Sequence, residues 1–233
     1  MPLPAPDVYA TARGPLARLA SPVARRARER RHARFFALTG ISAGTKILDV
    51  GCGQLGLRAL EPALDITGVD LSPQPGYPGP FVQGDPAEGL PFADGEFDLA
   101  YCNSVIEHVP PDRRQAFAQD LRRVSRAWYV QTPAWSFPIE PHALLPAAHW
   151  LPASLRKPYW KLGAAGSWED ISLLRRGELE LLFGGPVFGE RLGRLTKSWI
   201  CVRRIEQRSE SDVACYSSPG VSPSPGVSRI TML

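Results

Sequence analysis

Between residues 45 and 205 the apolar positions fall into short runs separated by turn-forming clusters. The first is Ile47-Leu48 with Val50, an apolar run holding one carboxylate, Asp49. Such runs suit strands buried on both faces of a parallel sheet. The same reading predicts strands at Asp65–Ser72, Phe81–Asp85, Phe97–Cys102, Trp128–Thr132, Pro186–Glu190 and Lys197–Arg203. Helical spacing appears from about Leu16 to Leu38, where Leu16, Leu19, Val23, Ala27, Phe35 and Phe36 can share a face. It returns at Asp112–Arg123 and Ser172–Phe183, and a short helix is expected near Gln54, closed off by Pro62. Pro73, Pro75, Pro78 and Pro80 forbid a helix between the second and third strands. Proline lacks the N–H a helix needs and restrains the residue before it. One face of the sheet should lose cover there, and a partner subunit is one way to supply it. Residues 133–170 read as neither regular sheet nor a single helix. Residues 1–15 read as an irregular arm, and from Glu206 the Ser-, Pro- and Gly-rich composition predicts disorder.

Strands alternating with helices predict an α/β fold, a Rossmann-like doubly wound sheet. The 233 residues suit one such domain with extensions: an arm and basic helix over 1–40, the domain over 41–205 and a tail over 206–233.

Charge changes the picture at one end only. Residues 1–34 hold eight arginines against Asp7 and Glu29, so they carry +6 of a net charge of +4 and leave −2 for the rest. A broad nucleic-acid groove across the domain is therefore not expected. The arginine-rich helix around Arg25–Arg31 has two readings: a docking site for an anionic partner, or a solvated helix packed over the ligand cleft. Cys52, Cys102, Cys201 and Cys215 show no paired spacing, so a reducing, cytoplasmic setting is expected. No apolar run approaches the roughly 18 residues of a membrane span, and no signal peptide is read. The richness in Ala, Arg, Gly and Pro points to a GC-rich bacterial source.

The candidate chemistry begins where the first strand meets Gly51-Cys52-Gly53. Glycine there lets a ligand approach the backbone, and a following helix start would offer it free N–H groups. Asp70 ends the second strand 19 positions after Gly51, the distance at which an acidic side chain meets ribose hydroxyls.

Four stretches in order, Ile47–Gly53, Val69–Ser72, Leu90–Asp98 and Ile106–Val109, resemble the class I S-adenosylmethionine-dependent methyltransferases, in particular the small bacterial type-11-like domain. The resemblance covers roughly residues 40–205. It implies a seven-stranded, mostly parallel sheet whose last strand runs antiparallel between two others. It implies S-adenosyl-L-methionine as cofactor. Asp70, with Leu71 beside it, would accept from the ribose diol. Asp85 would accept from the adenine amino group beside Pro86 and Ala87, or cap a local turn. Gly51, Cys52 and Gly53 would face the methionine portion, and Asn103 and Ser104 would pass under it. Asp49 would pair with a water or the cofactor's ammonium. Asp98 would be a structural carboxylate. Glu107-His108 match the end of the E-x-x-E-H motif with which some quinone-biosynthesis relatives bind a divalent metal. The first Glu position is Ser104 here, so no metal is expected, and His108 is read as packed beside a helix start.

Methyl transfer to oxygen or carbon needs a base, commonly His, Asp or Glu. The segment Phe137-Pro138-Ile139-Glu140-Pro141-His142 supplies Glu140 and His142 as candidates, with His149 behind them. These residues can equally hold a rigid lid by hydrogen bonds. Trp135, Trp150, Tyr159, Trp160 and Trp168 suit an acceptor pocket or a small second core. The expected activity is O-methylation of a small molecule, a sugar or a lipid-linked precursor, by a chain able to form an oligomer. The alternatives are an RNA or protein methyltransferase docking through the arginine helix, a non-catalytic binding protein of the same fold, and a nicotinamide dehydrogenase.

Overall fold

The computed structural model describes residues 33–163 and 171–206. The expected arm, most of the arginine helix, Trp168, Cys215 and the tail lie outside these residues. The described part of the first helix, α1, covers 33–39. It is followed by β1 (Lys46–Val50), α2 (Gly56–Leu60), β2 (Asp65–Asp70), β3 (Phe81–Gln83), β4 (Phe97–Asn103), α3 (Arg114–Val124) and β5 (Ser125–Pro133). A short hairpin, β6 (Ile139–Glu140) and β7 (Leu145–Pro146), opens the insertion, which continues through α4 (Ala153–Trp160). The chain closes with α5 (Arg176–Phe183), β8 (Val187–Leu192) and β9 (Leu195–Arg203).

Seven strands form one sheet in the order β3-β2-β1-β4-β5-β9-β8. β1 pairs parallel with β2 and β4, and β4 pairs parallel with β5. β9 runs antiparallel to both neighbours, β5 and β8, as expected. The order reverses between β1 and β4, which leaves a crevice at their carboxyl ends.

Side-chain alternation divides the core. Leu48, Val50, Ala100, Cys102, Trp128 and Val130 pack under α3 and α5. Ile47, Ile66, Leu99, Ala127 and Tyr129 pack under Phe35 of α1 and Leu57 of α2. Arg114, almost fully buried, joins α3 to the rest. Its guanidinium donates to the carbonyls of Val109 and Ser172 and pairs with Glu178 of α5.

Two boundaries differ from expectation for local reasons. Residues 172–175 are not helical, because Leu174 bridges Ala134 and its carbonyl accepts from Trp135 N–H. The third strand stops at Gln83, where Gly84 N–H turns back to the Asp70 carbonyl and Asp85 Oδ1 caps Ala87 N–H at 2.8 Å. Over the proline-rich link part of the sheet's cover comes from within the chain. The Tyr77 ring lies on Gly68 of β2, where a Cβ would come within 2.6 Å of Cζ. One aromatic side chain thus stands where a helix would have packed.

Candidate functional site

The β1–α2 turn is built by three glycines in the left-handed region: Gly51 at φ +67°, Gly53 at +56° and Gly56 at +53°. Their surroundings differ. A Cβ on Gly51 would fall 2.3 Å from Val105 Cγ2, and one on Gly56 would fall 2.3 Å from Asp49 Oδ2. A Cβ on Gly53 would meet nothing within 4 Å, so its open side is a cradle for a ligand.

Asp49 is 2 % exposed. Its Oδ2 accepts the N–H of Leu57 at 2.6 Å. The partner expected to be water or a cofactor ammonium is therefore, for this oxygen, the first turn of α2. That helix starts at Gly56 rather than Gln54, and this N–H is turned to Asp49 rather than outward. Burial pushes the Asp49 carboxyl up to about 7 against the pull of the Leu57 hydrogen bond. Burial, reinforced by the charges of Asp49 and Asp70, pushes the neighbouring Cys52 thiol up to about 12, so it is no nucleophile near neutrality.

The raised Asp49 value has a measurable consequence. Between the unfolded value near 3.8 and the folded value near 7 the folded chain holds a proton that the unfolded chain has lost. Stability from this group therefore falls as pH rises through that window, by up to about 4 kcal/mol. Denaturation midpoints compared from pH 4 to pH 8 are expected to show the wild type losing stability relative to Asp49→Asn. A wild type that gains stability relative to Asp49→Asn across the window contradicts the assignment.

Asp70 accepts from Gly53 N–H at Oδ2 and from Ser72 N–H at Oδ1, both at 3.0 Å. Each oxygen keeps further acceptor capacity. Leu71 beside it is 60 % exposed. Asp98 accepts from Lys46 N–H and pairs with Arg126, in line with a structural role.

At the end of β4, Ser104 has φ +58°, an uncommon value for a side-chain-bearing residue and frequent at functional turns. Asn103 lines two cavities. One, of about 330 Å³, is bounded by Asp49, Gly51, Cys52, Leu57 and Tyr101. The other, of about 200 Å³, is bounded by Gln131, Phe137, Ile139, Pro141 and Ser198.

The insertion places its histidines differently. His142 lies in the β6–β7 turn with Nδ1 2.7 Å from Glu140 Oε1, and Glu140 also accepts from Ala143 N–H. Burial pushes the Glu140 carboxyl up, yet these hydrogen bonds outweigh it and hold the group below the usual range. His142 Nε2 lies 3.9 Å from Glu107 Oε1. Glu107 is buried, accepts from Thr132 Oγ1 at 2.9 Å, and is pushed up by that burial. The His108 ring stands edge-on to that of His142, with centroids 5.0 Å apart, rather than simply against a helix start. Sequence spacing hides this grouping, since His142 is 34 residues beyond His108. His149 is elsewhere. Its Nε2 lies 2.9 Å from the Trp135 carbonyl, its ring packs near Trp135 and Trp150, and burial lowers its pKa. Trp160 is buried with Ala143, Leu145 and Leu173, and Trp135 and Tyr159 pack against them, so these aromatics build a small second core.

Residues 48–127 match the family model described as a methyltransferase domain. That match lies on a sheet with an antiparallel β9 set between β5 and β8. Both findings support a class I S-adenosylmethionine-dependent methyltransferase. The chain is 33 % identical over 93 residues to an uncharacterized methyltransferase of Synechocystis, covering 36 % of this chain and 43 % of that protein. It is 32 % identical over 105 residues to the 2-methyl-6-phytyl-1,4-hydroquinone methyltransferase of the same organism, covering 40 % of this chain and 32 % of that one. The matched stretch thus spans less than half of either relative. A solved methyltransferase from Methanosarcina mazei is 18 % identical, with a TM-score of 0.48, over 70 % of this chain and 92 % of that one.

The family implies S-adenosylmethionine, and the residues present fit it. A methyltransferase domain needs a place for a cationic amino-acid end and for a ribose diol. Here a buried carboxyl lines the larger cavity, Gly53 leaves an open cradle, and Asp70 offers a two-oxygen acceptor at the next strand end. Among the described residues no helix is long and apolar enough to cross a membrane.

Proposed function

We propose that this chain transfers a methyl group from S-adenosylmethionine to an oxygen of a small molecule, a sugar or a lipid-linked precursor. The observation that supports the reading is that Asn103 lines both cavities, one built on the glycine turn and the other on the insertion. In this reading Asp70 and Leu71 receive the ribose, Asp85 and Pro86 the adenine, and Asp49, Gly51, Cys52, Gly53, Asn103 and Ser104 the methionine portion. The bound sulfonium supplies an already activated methyl group. The protein's part is alignment, exclusion of water and removal of the acceptor's proton. The His142–Glu140 pair suits the proton removal, because a carboxylate held ionised fixes the ring and stabilises its charged form. His149, held by a backbone carbonyl beside two tryptophans, positions the lid. The three described cysteines are free thiols, which agrees with action in the cytoplasm.

Calorimetry with S-adenosylmethionine, and NAD as control, tests the cofactor half. Wild type is expected to bind S-adenosylmethionine and not NAD. Asp70→Ala is expected to weaken that binding at least tenfold, about 1.4 kcal/mol. Preference for NAD, or an Asp70→Ala chain that binds like wild type, removes the reading.

A further inference from the structure

Glu107 is held in place and yet left incomplete. Its carbonyl accepts from Ser172 N–H and its Oε2 from Thr132 Oγ1. Its Oε1 is buried with no hydrogen-bond partner. A buried carboxylate oxygen in that state costs about 1–3 kcal/mol unless something fills the gap. What faces it is His142 Nε2, at 3.9 Å.

The tautomer of His142 decides what the gap can hold. Nδ1 is within 2.7 Å of Glu140 Oε1, so Nδ1 carries the proton and donates it. In that tautomer Nε2 carries no proton, and it lies 3.9 Å from Glu107 Oε1. A protonated Nε2 would be too far away for a hydrogen bond at this distance. An unprotonated ring nitrogen and a carboxylate oxygen at that separation are two donors that one cation can bridge. The third donor is already present: the ligand atoms of Glu107, His108 and His142 all lie within 4.8 Å of one another.

We propose that Glu107, His108 and His142 bind a divalent first-row transition metal, zinc or a neighbour of it, with Glu140 orienting His142 from behind. A histidine ligand donating its other ring N–H to a carboxylate is the usual support of such sites. Ligand distances near 2.0–2.2 Å place neighbouring donors about 3–3.6 Å apart, so an inward shift of about 1 Å closes the site. Two imidazoles with one carboxylate select this class of metal over magnesium or calcium, which take oxygen donors. Three protein ligands leave open positions for water or for the acceptor oxygen. With the metal bound, His142 would be a ligand, and an acceptor oxygen on the metal would be acidified and pass its proton to solvent water. The inference goes beyond the methyl-transfer reading and changes the role of one residue in it.

The test uses the full chain freed of metal by a chelator, titrated with Zn²⁺ by calorimetry and with Co²⁺ by visible absorption. One site per chain is expected. Glu107→Gln, His108→Gln and His142→Gln should each weaken Zn²⁺ at least tenfold, and Glu140→Gln about tenfold with all three ligands intact. His108 is exposed, so its variant keeps the fold, and S-adenosylmethionine binding by each variant reports integrity. Absence of Zn²⁺ binding, equal affinity in the folded variants, or a thiolate charge-transfer band with Co²⁺ overturns the proposal. S-adenosylmethionine binding without Zn²⁺ binding removes this inference alone. Zn²⁺ binding without S-adenosylmethionine binding removes the cofactor reading alone.

Discussion

Gly56→Ala is expected to lose about 3 kcal/mol of stability and the cofactor site with it. Two causes add. The residue sits at φ +53°, where an L side chain costs about 1–2 kcal/mol. The new methyl would also fall 2.3 Å from Asp49 Oδ2 and 2.9 Å from the Tyr77 ring. Asp49 must then leave the Leu57 N–H, breaking a buried hydrogen bond, a loss of about 1–3 kcal/mol. For a domain of this size the melting temperature should drop by about 10 °C. Gly53→Ala is the contrast. Its φ is similar, but its Cβ meets only open space. It should lose about 1–2 kcal/mol of stability, while S-adenosylmethionine affinity falls, because the methyl occupies the cradle. Thermal melts and calorimetry on the pair separate fold from ligand. Equal melting temperatures for the two variants contradict the close approach at Gly56.

His142→Gln should lower turnover about 10²–10⁴-fold, the range for losing help with the acceptor's proton, whether His142 gives it as base or as metal ligand. S-adenosylmethionine affinity should stay within about twofold of wild type, since His142 lies on the insertion and not on the glycine turn. The measurement is single-turnover methyl transfer to an acceptor found by screening hydroxylated sugars and lipid-linked precursors. A loss below tenfold removes His142 from the chemistry. The pH–rate profile of Glu140→Gln adds a second readout, because a merely structural Glu140 would leave its shape unchanged.

Much of the cofactor half was legible because its signals are local. Ile47–Gly53 announces a strand and a glycine turn in seven consecutive residues, and Asp70 follows at a fixed distance. Prolines between 73 and 80 exclude a helix by covalent geometry alone. What replaces the helix was not legible, because Tyr77 reaches Gly68 by a tertiary contact that no period encodes. The acceptor half shows the same limit more sharply. Counting ligands along Ser104–His108 stops at two, and the third donor arrives from the β6–β7 turn. Likewise Leu174 pairs with Ala134, so a stretch with helical spacing at Ser172 is drawn into extended pairing instead.

The inner position of β9 sets an order of assembly during synthesis. β5 is completed by residue 133, but its outer neighbour ends only at Arg203. Until those last residues leave the ribosome, β5 presents an unpaired, apolar edge of the kind that recruits other chains. Lys197 and Ser198 of β9 also line the smaller cavity, and Ser198 joins Gln131 and Glu190 across three strands. A chain cut short before β9 would therefore carry a complete glycine turn, no acceptor wall and an open seam, and proteolysis or aggregation would meet it before any substrate did.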